Sequence, residues 1–363
     1  MIFERNRTAI PDTRISGLEV SINDFDKDGD MDLFVGGRLS PKKYPYPSSS
    51  RILENKSTPD SVKFIDVTDQ KISKLKDIGL VTTSVWIDID GDSWEDLILS
   101  GEWMTARFFK NNQGKKFTEI TDKVFTDNER GWWYDIEKGD FDNDGDMDLI
   151  LGNLGLNYKY QASEENPFRI YLNDFDKNNT YDIVLSYKYD DTEYPVRGRE
   201  CSSQQMPAIK KKFKNHNTFA GASLEEIYSN KMLKESINYE ITSFQSVYLE
   251  NNDGVFSSKP LNYQAQFSNI NSIVVKDVDD DGNLDAILGG NLYNSEVETP
   301  RNDASYGLWL KGDGKGEFNA VTPRESGLLM LGDVRNMRTI QVGGETHLLV
   351  AKNDGALQQI RIN

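Results

Sequence analysis

The chain has 363 residues, of which only 37% are hydrophobic, and its mean hydropathy is -0.62. A core built from it must be spread thin over many small units, although 17 Phe, 16 Tyr and 6 Trp argue against disorder. The formal net charge of -17 makes nucleic acid and anionic membrane surfaces poor partners. One cysteine, Cys201, excludes an intrachain disulfide, and no stretch approaches the roughly 18 apolar residues of a membrane span.

In chain order, the opening MIFERNRTAIPD lacks the apolar core of a signal peptide. It reads as an outer strand, about 2–11, positioned to complete a last blade at 327–363. A chain that begins mid-blade is expected to be a piece of a longer, exported protein. A segment then recurs five times: DFDKDGDMDLFVGG at 24–37, DIDGDSWEDLILSG at 88–101, DFDNDGDMDLILG at 140–152, DFDKNNTYDIVLS at 174–186 and DVDDDGNLDAILGG at 277–290. Acidic or amide residues fill positions 1, 3 and 5, a turn residue position 6 and Asp position 9, and an apolar run follows. Alternating segments such as Leu18, Val20 and Ile22 precede the loops, which predicts strand, acidic loop, buried strand. Turn-rich stretches at 106–121, 246–261 and 308–322 read as hairpins around Asn/Asp-Gly turns. Together these give four antiparallel strands per repeat: an all-β fold of propeller blades, six by count, in a single domain over 1–363. Loop starts are spaced by 64, 52, 34 and 103 residues. The short gap predicts a third blade without outer strands, and the long one an insertion. That insertion, about 203–237, reads as two short helices, with Pro207 at a helix start and Ser223 and Glu226 as a capping box. Its run Lys210, Lys211, Lys212, Phe213, Lys214 reads as a solvated helix face or a docking patch.

Carboxylates at alternating positions repel one another unless a cation sits among them, and hard oxygen donors suit Ca²⁺. The expected ligands are Asp24, Asp26, Asp28 and Asp32; Asp88, Asp90, Asp92 and Asp96; Asp140, Asp142, Asp144 and Asp148; Asp174, Asp176, Asn178 and Asp182; and Asp277, Asp279, Asp281 and Asp285. The seventh residues, Asp30, Trp94, Asp146, Thr180 and Asn283, complete each set, in the first loop through the backbone carbonyl. Gly29, Gly145 and Gly282 allow the sharp turn. The fourth loop, with Asn178 and Asn179, carries least charge and is expected to bind most weakly. The five loops hold 23 of the chain's 59 acids, and five Ca²⁺ ions would move -17 to about -7. An EF-hand is excluded, because position 12 is Val35, Leu99, Leu151, Leu185 and Leu288 where that motif needs Glu. Because the ligands come from adjacent strand ends, the ions are expected to be structural.

At these residues the chain resembles the FG-GAP and VCBS repeat proteins, whose loops match the integrin α-subunit propellers. The resemblance implies seven blades with calcium loops between the first two strands of a blade. DFDKDGDMDLFVGGRLSPKKYPYP, RGRECSSQQMPAIKKKF and GGNLYNSEVETPRNDASYG look like the propeller region of bacterial VCBS proteins related to the ASPIC/UnbV family. That likeness implies an exported, cell-surface protein.

Two histidines, His216 and His347, give little material for a triad or a zinc site. Cys201 has no evident partner, and GDGKG at 312–316 lacks the ending of a phosphate loop. Arg197, Arg199, Glu200, Tyr293, Arg301 and Tyr306 lie in long connections, where propellers place binding groups. The expected function is a non-catalytic, calcium-stabilised module recognising protein or glycan. The alternative is a carbohydrate-active lyase or hydrolase.

Overall fold

The computed structural model describes residues 6–12, 15–295 and 299–362. The fold is all-β, in antiparallel, propeller-like blades that are not closed sheets. The first sheet runs β1 (Ser16–Asn23), β2 (Asp32–Leu39), β3 (Arg51–Asn55) and β4 (Phe64–Asp66), in that order. The second runs β5 (Leu80–Ile87), β6 (Asp96–Met104), β7 (Arg107–Asn111) and β8 (Phe117–Glu119), and β9 (Gly131–Trp132) adds to β6. The third takes β10 (Asp135–Gly139) and β11 (Asp148–Gly152). Its third and fourth strands come from far along the chain, after an interposed sheet. That sheet is built from β12 (Phe168–Asn173), β13 (Asp182–Tyr189), β14 (Thr192–Pro195) and β15 (Ile237–Ile241), and only then do β16 (Val247–Asn252) and β17 (Val255–Pro260) complete the third sheet. A further sheet holds β18 (Ile270–Lys276), β19 (Asp285–Gly290), β20 (Leu308–Gly312) and β21 (Phe318–Val321). The last, β22 (Asp333–Val342), β23 (Glu345–Asn353) and β24 (Gln358–Arg361), has three strands among the described residues.

The third blade therefore does not lack outer strands. Leu149 pairs with Leu249, and the hairpin read at 246–261 belongs to this sheet. Sequence spacing hid this, because β pairing is set by packing across the fold and not by proximity along the chain.

The chain divides into two compact units. One comprises 1–128, 132–158 and 245–363; the other comprises 129–131 and 159–244. In the larger unit the first strands of successive sheets pack in series, β1 on β5, β5 on β10, β10 on β18 and β18 on β22. Side chains tie them. Ser21 Oγ lies 2.8 Å from Ser84 Oγ, Asp135 accepts Thr83 Oγ1 at 3.4 Å and the Ile273 N–H at 2.7 Å, and Ser272 Oγ accepts the Met337 N–H at 2.9 Å. Between the sheets lie apolar layers. Phe25, Phe34, Ile52, Trp86, Leu97 and Phe109 form one, and Ile98, Phe108, Trp133, Leu149 and Phe256 another. Burying each of these side chains contributes about 1.5–3 kcal/mol, so a chain of modest hydropathy sustains several thin cores. On the outer side of β1, Leu18, Val20 and Ile22 remain exposed.

The expected strand at 2–11 falls partly on residues outside the described ones. Its described part, 6–11, carries no strand, and the Ala9 carbonyl accepts the Phe64 N–H of β4 at 2.7 Å.

In the smaller unit the order is β14-β13-β12-β15, so the loop hairpin sits centrally and not at an edge. Five short helices, not two, span 199–234: Arg199–Gln205, Ala208–Lys212, His216–Ala220, Leu224–Tyr228 and Asn230–Lys234. Pro207, Gly221 and Ser229, the last at φ 64°, break what the pattern joins. The Ser223–Glu226 capping box forms as read. Phe213 of the lysine run is buried in a core with Tyr171, Val184, Ile209 and Leu224, and Lys210 pairs with Glu200 at 2.7 Å.

Candidate metal centres

Each acidic loop joins two strands of one sheet, β1–β2, β5–β6, β10–β11, β12–β13 and β18–β19, and all five share one backbone design. The position-1 carboxylate folds the loop over itself. Asp24 accepts the N–H groups of Asp28 and Gly29, both at 3.1 Å, and Asp277 those of Asp281 and Gly282 at 3.1 and 2.9 Å. Asp88 and Asp174 make the same pair of bonds, and Asp140 accepts from Asp144. The position-5 side chain accepts the N–H of position 7, as at Asp92 from Trp94 and at Asn178 from Thr180. These bonds require left-handed backbone twice. Position 6 was read from sequence; position 4 was not, yet Lys27, Gly91, Asn143, Lys177 and Asp280 have φ between 58° and 70°. Asn, Asp and Gly tolerate this, whereas the two lysines are held there by the loop.

Position 2 is an apolar anchor: Phe25, Ile89, Phe141 and Phe175 are buried. Position 9 does more than face an ion. Asp32, Asp96, Asp148, Asp182 and Asp285 are all at most 3% exposed. One oxygen of Asp96, Asp148, Asp182 and Asp285 accepts the position-2 N–H at 2.9–3.1 Å. The other oxygen of Asp32, Asp96, Asp148 and Asp285 accepts an N–H at the third strand, from Asn55, Asn111, Asn251 and Gly312, at 2.6–2.9 Å. Sequence reading assigned this residue to the metal alone; it also staples the loop to the sheet.

Carboxylate oxygens of positions 1, 3 and 9 converge to within 4.8 Å in Asp24/Asp26/Asp32, Asp88/Asp90/Asp96, Asp140/Asp142/Asp148 and Asp174/Asp176/Asp182. A further cluster, Asp26/Asp28/Glu54, adds a residue the loop frame does not contain. Burial pushes Asp32 and Asp96 up to about 7 and Asp148 and Asp182 up to about 6, with neighbouring loop aspartates adding to the rise. Asp26 rises through burial and through Asp28 and Glu54. Asp26 Oδ1 and Asp176 Oδ1, both at position 3, are shielded from solvent without a hydrogen-bond partner. Crowded, desolvated carboxylates with such orphaned oxygens fit a hard divalent cation.

The loops differ in what the third strand brings. The residue before the stapling position is Glu54, Lys110, Glu250 and Lys311 in the four sheets of the larger unit that carry loops. Lys110 Nζ bridges Asp90 and Asp92, and Lys311 Nζ bridges Asp279 and Asp281. An ammonium thus spans positions 3 and 5, between the donors a divalent ion would share. In the first loop Lys56 Nζ joins Asp28 and Glu54 at 3.1 and 2.6 Å. Glu250 is paired with Lys259 at 2.7 Å. Neighbouring loops touch, Lys27 over the Trp94 ring at 4.4 Å and Asn143 Nδ2 donating to Asn283 Oδ1 at 3.2 Å.

The other residues singled out from sequence are divided between the units. Arg199 and Glu200 open the first helix of the smaller unit, where the Arg199 Nε donates to the Phe213 carbonyl at 2.6 Å. The Arg197 carbonyl accepts from Ser202. In the larger unit the Arg301 guanidinium lies 4.9 Å from the Tyr293 ring centre, and Tyr306 is exposed. Among the described residues, no helix is long and apolar enough to cross a membrane.

Comparison with known proteins adds the following. No curated protein matches the chain. Among solved structures, the V. cholerae biofilm matrix protein Bap1 is similar at 9% identity and a TM-score of 0.30, over 92% of this chain and 66% of that one. BBS1N from its complex with ARL6DN is similar at 10% identity and a TM-score of 0.26, over 96% and 94%. The second sheet from its acidic loop onward and the first two strands of the third carry the family signal: residues 88–151 match the FG-GAP-like repeat.

Proposed function

We propose that the chain is a calcium-braced, non-catalytic binding or scaffold module of an exported protein, recognising protein or glycan. The reading rests on one observation above the others: position 1, 3 and 9 carboxylates converge to within 4.8 Å in four loops, and desolvated oxygens are left unpartnered in the first and fourth of the five loops. Ca²⁺ takes six to eight oxygens, which the carboxylates, the seventh-position carbonyls and water would supply. The ions brace strand exits, so binding them is coupled to folding. Their affinities are unequal. The first and third loops, with Glu54 and Glu250 on the third strand, bind most tightly. Lys110 and Lys311 partly neutralise the second and fifth loops, and the fourth has the fewest charges. Kinship with the ASPIC/UnbV-related propellers and a cell-surface location belong to the same proposal. Titrating Ca²⁺ into chelator-treated protein by calorimetry, with Mg²⁺ as competitor, tests it. Several Ca²⁺ per chain binding in preference to Mg²⁺ is the expected result; no saturable binding would end the reading.

A further inference from the structure

The smaller unit carries a cavity of about 630 Å³, within the roughly 300–1,000 Å³ typical of small-ligand sites. Residues of segment 159–168 form one wall, and the end of β13 with Asp190 and Val196 forms the other. Tyr187 and Tyr189 line it from one side of β13, two residues apart, and are 43% and 65% exposed. Tyr194 on β14 stands opposite Tyr187, its ring centre 6.1 Å away and its plane inclined by 32°. Exposing such rings side by side leaves apolar, electron-rich faces in water, a cost a folded surface usually avoids unless something covers them. The facing segment sets polar Lys159, Gln161, Ser163 and Asn166 beside apolar Tyr160, Ala162 and Phe168.

We infer that this cavity binds a short neutral oligosaccharide. A sugar ring offers an apolar C–H face, weakly electropositive, rimmed by hydroxyls. It needs flat aromatic faces beneath and short-range donors and acceptors around, which this cavity combines. An apolar peptide would make little use of the polar groups on that segment. A nucleic acid or polyanionic glycan would need a field that is missing. The unit holds 13 Lys and Arg against 14 Asp and Glu, and Lys188 is already engaged by Asp191 at 2.9 Å and the Glu165 carbonyl at 3.2 Å. The near balance also contrasts with the net -17 of the whole chain, nearly all of which lies in the other unit.

The inference rests on the reading of the chain as a binding module, and its test separates the two. The full chain in excess Ca²⁺ is titrated by calorimetry with neutral hexasaccharides of β-1,4-glucan, β-1,3-glucan, xylan and mannan. At least one is expected to bind. The Tyr187→Ala/Tyr189→Ala variant should lose about tenfold or more in affinity, while Tyr187→Phe/Tyr189→Phe, which keeps the ring faces, stays within about threefold. Tyr263→Ala, an exposed tyrosine of the other unit, should bind as the parent does. The phenylalanine variant also guards against a folding defect in the alanine one. Failure of every hexasaccharide to bind, or full affinity in the alanine variant, overturns the inference. A normal calcium response in that same sample would leave the calcium reading standing.

Discussion

Replacing Lys110 by Met keeps the aliphatic stem and removes the ammonium that bridges Asp90 and Asp92. For a divalent ion to enter the second loop, that ammonium must leave. Breaking partly exposed ion pairs costs about 0.2–1 kcal/mol. Once displaced to about 8 Å, a single charge still repels a double one by about 1 kcal/mol in water, roughly halved by physiological salt. The resident lysine therefore opposes binding by about 1–2 kcal/mol, or about 5- to 30-fold in affinity. Terbium can stand in for calcium, and its luminescence is sensitised by an adjacent indole. Trp94, at position 7, makes the second loop reportable in this way. The expected result is a terbium midpoint, and a calcium displacement midpoint, shifted 5- to 30-fold toward tighter binding in Lys110→Met. The shift should shrink as salt rises, and Trp94→Phe should remove the second loop's part of the signal, leaving what Trp309 sensitises at the fifth loop. An unchanged or weaker midpoint would refute the view that the lysine occupies the ion's place.

Other expectations follow from the same geometry. Chelation should lower the melting temperature by several degrees, since each site saturated at a hundredfold over its Kd contributes about 2.7 kcal/mol; an unchanged melt by scanning calorimetry would contradict structural calcium. Asp148→Ala strips acceptors from the Phe141 and Asn251 N–H groups and from the Tyr248 hydroxyl, 2.7 Å away. It should destabilise the larger unit by about 3 kcal/mol in denaturant titrations, and the loss should persist in chelator because the staple is protein-only. Glu19 on β1 is pushed up to about 7, chiefly by burial and also by Glu137, against the Ser84 hydrogen bond and Arg338. A carboxyl raised in the folded state binds a proton there that the unfolded chain releases. Its contribution is therefore present below pH 4.5 and is lost as pH rises through about 7. Glu19→Gln should flatten that slope, gaining about 1–3 kcal/mol over the parent at pH 8 relative to pH 4. Parallel pH dependences in the two proteins would dispose of this assignment.

The loop frame was legible in sequence because short-range chemistry dictates it. Asp24 and its equivalents bond within five residues, and Gly29, Gly145 and Gly282 mark position 6. Position 4 was silent because Lys27 and Lys177 give no compositional sign of a left-handed backbone. The roles of Lys110, Lys311 and Glu54 were silent for another reason. Each reaches its loop only through the register of a third strand, as when Leu97 pairs with Phe109. The double duty of Asp148 depends equally on a partner, Asn251, that lies beyond an entire interposed sheet. The tyrosine pair of β13 gave no sign in the sequence, since nothing local says which side of a strand lacks a cover.

The interruption of the third sheet has a bearing on how the chain assembles. During synthesis β10 and β11 emerge and wait, edge open, until β16 arrives roughly a hundred residues later. Closing so long a gap costs about 2 kcal/mol more than closing a ten-residue turn. The smaller unit reduces this penalty. Its entry strand and exit strand are partners, Phe168 opposite Ile241. Once that pair has formed, the waiting ends are separated by a short tether and not by a long coil. The interposed sheet thus acts as a latch: shutting it first makes the ladder around it easier to finish, and a defect in it would surface as slow folding of the third sheet.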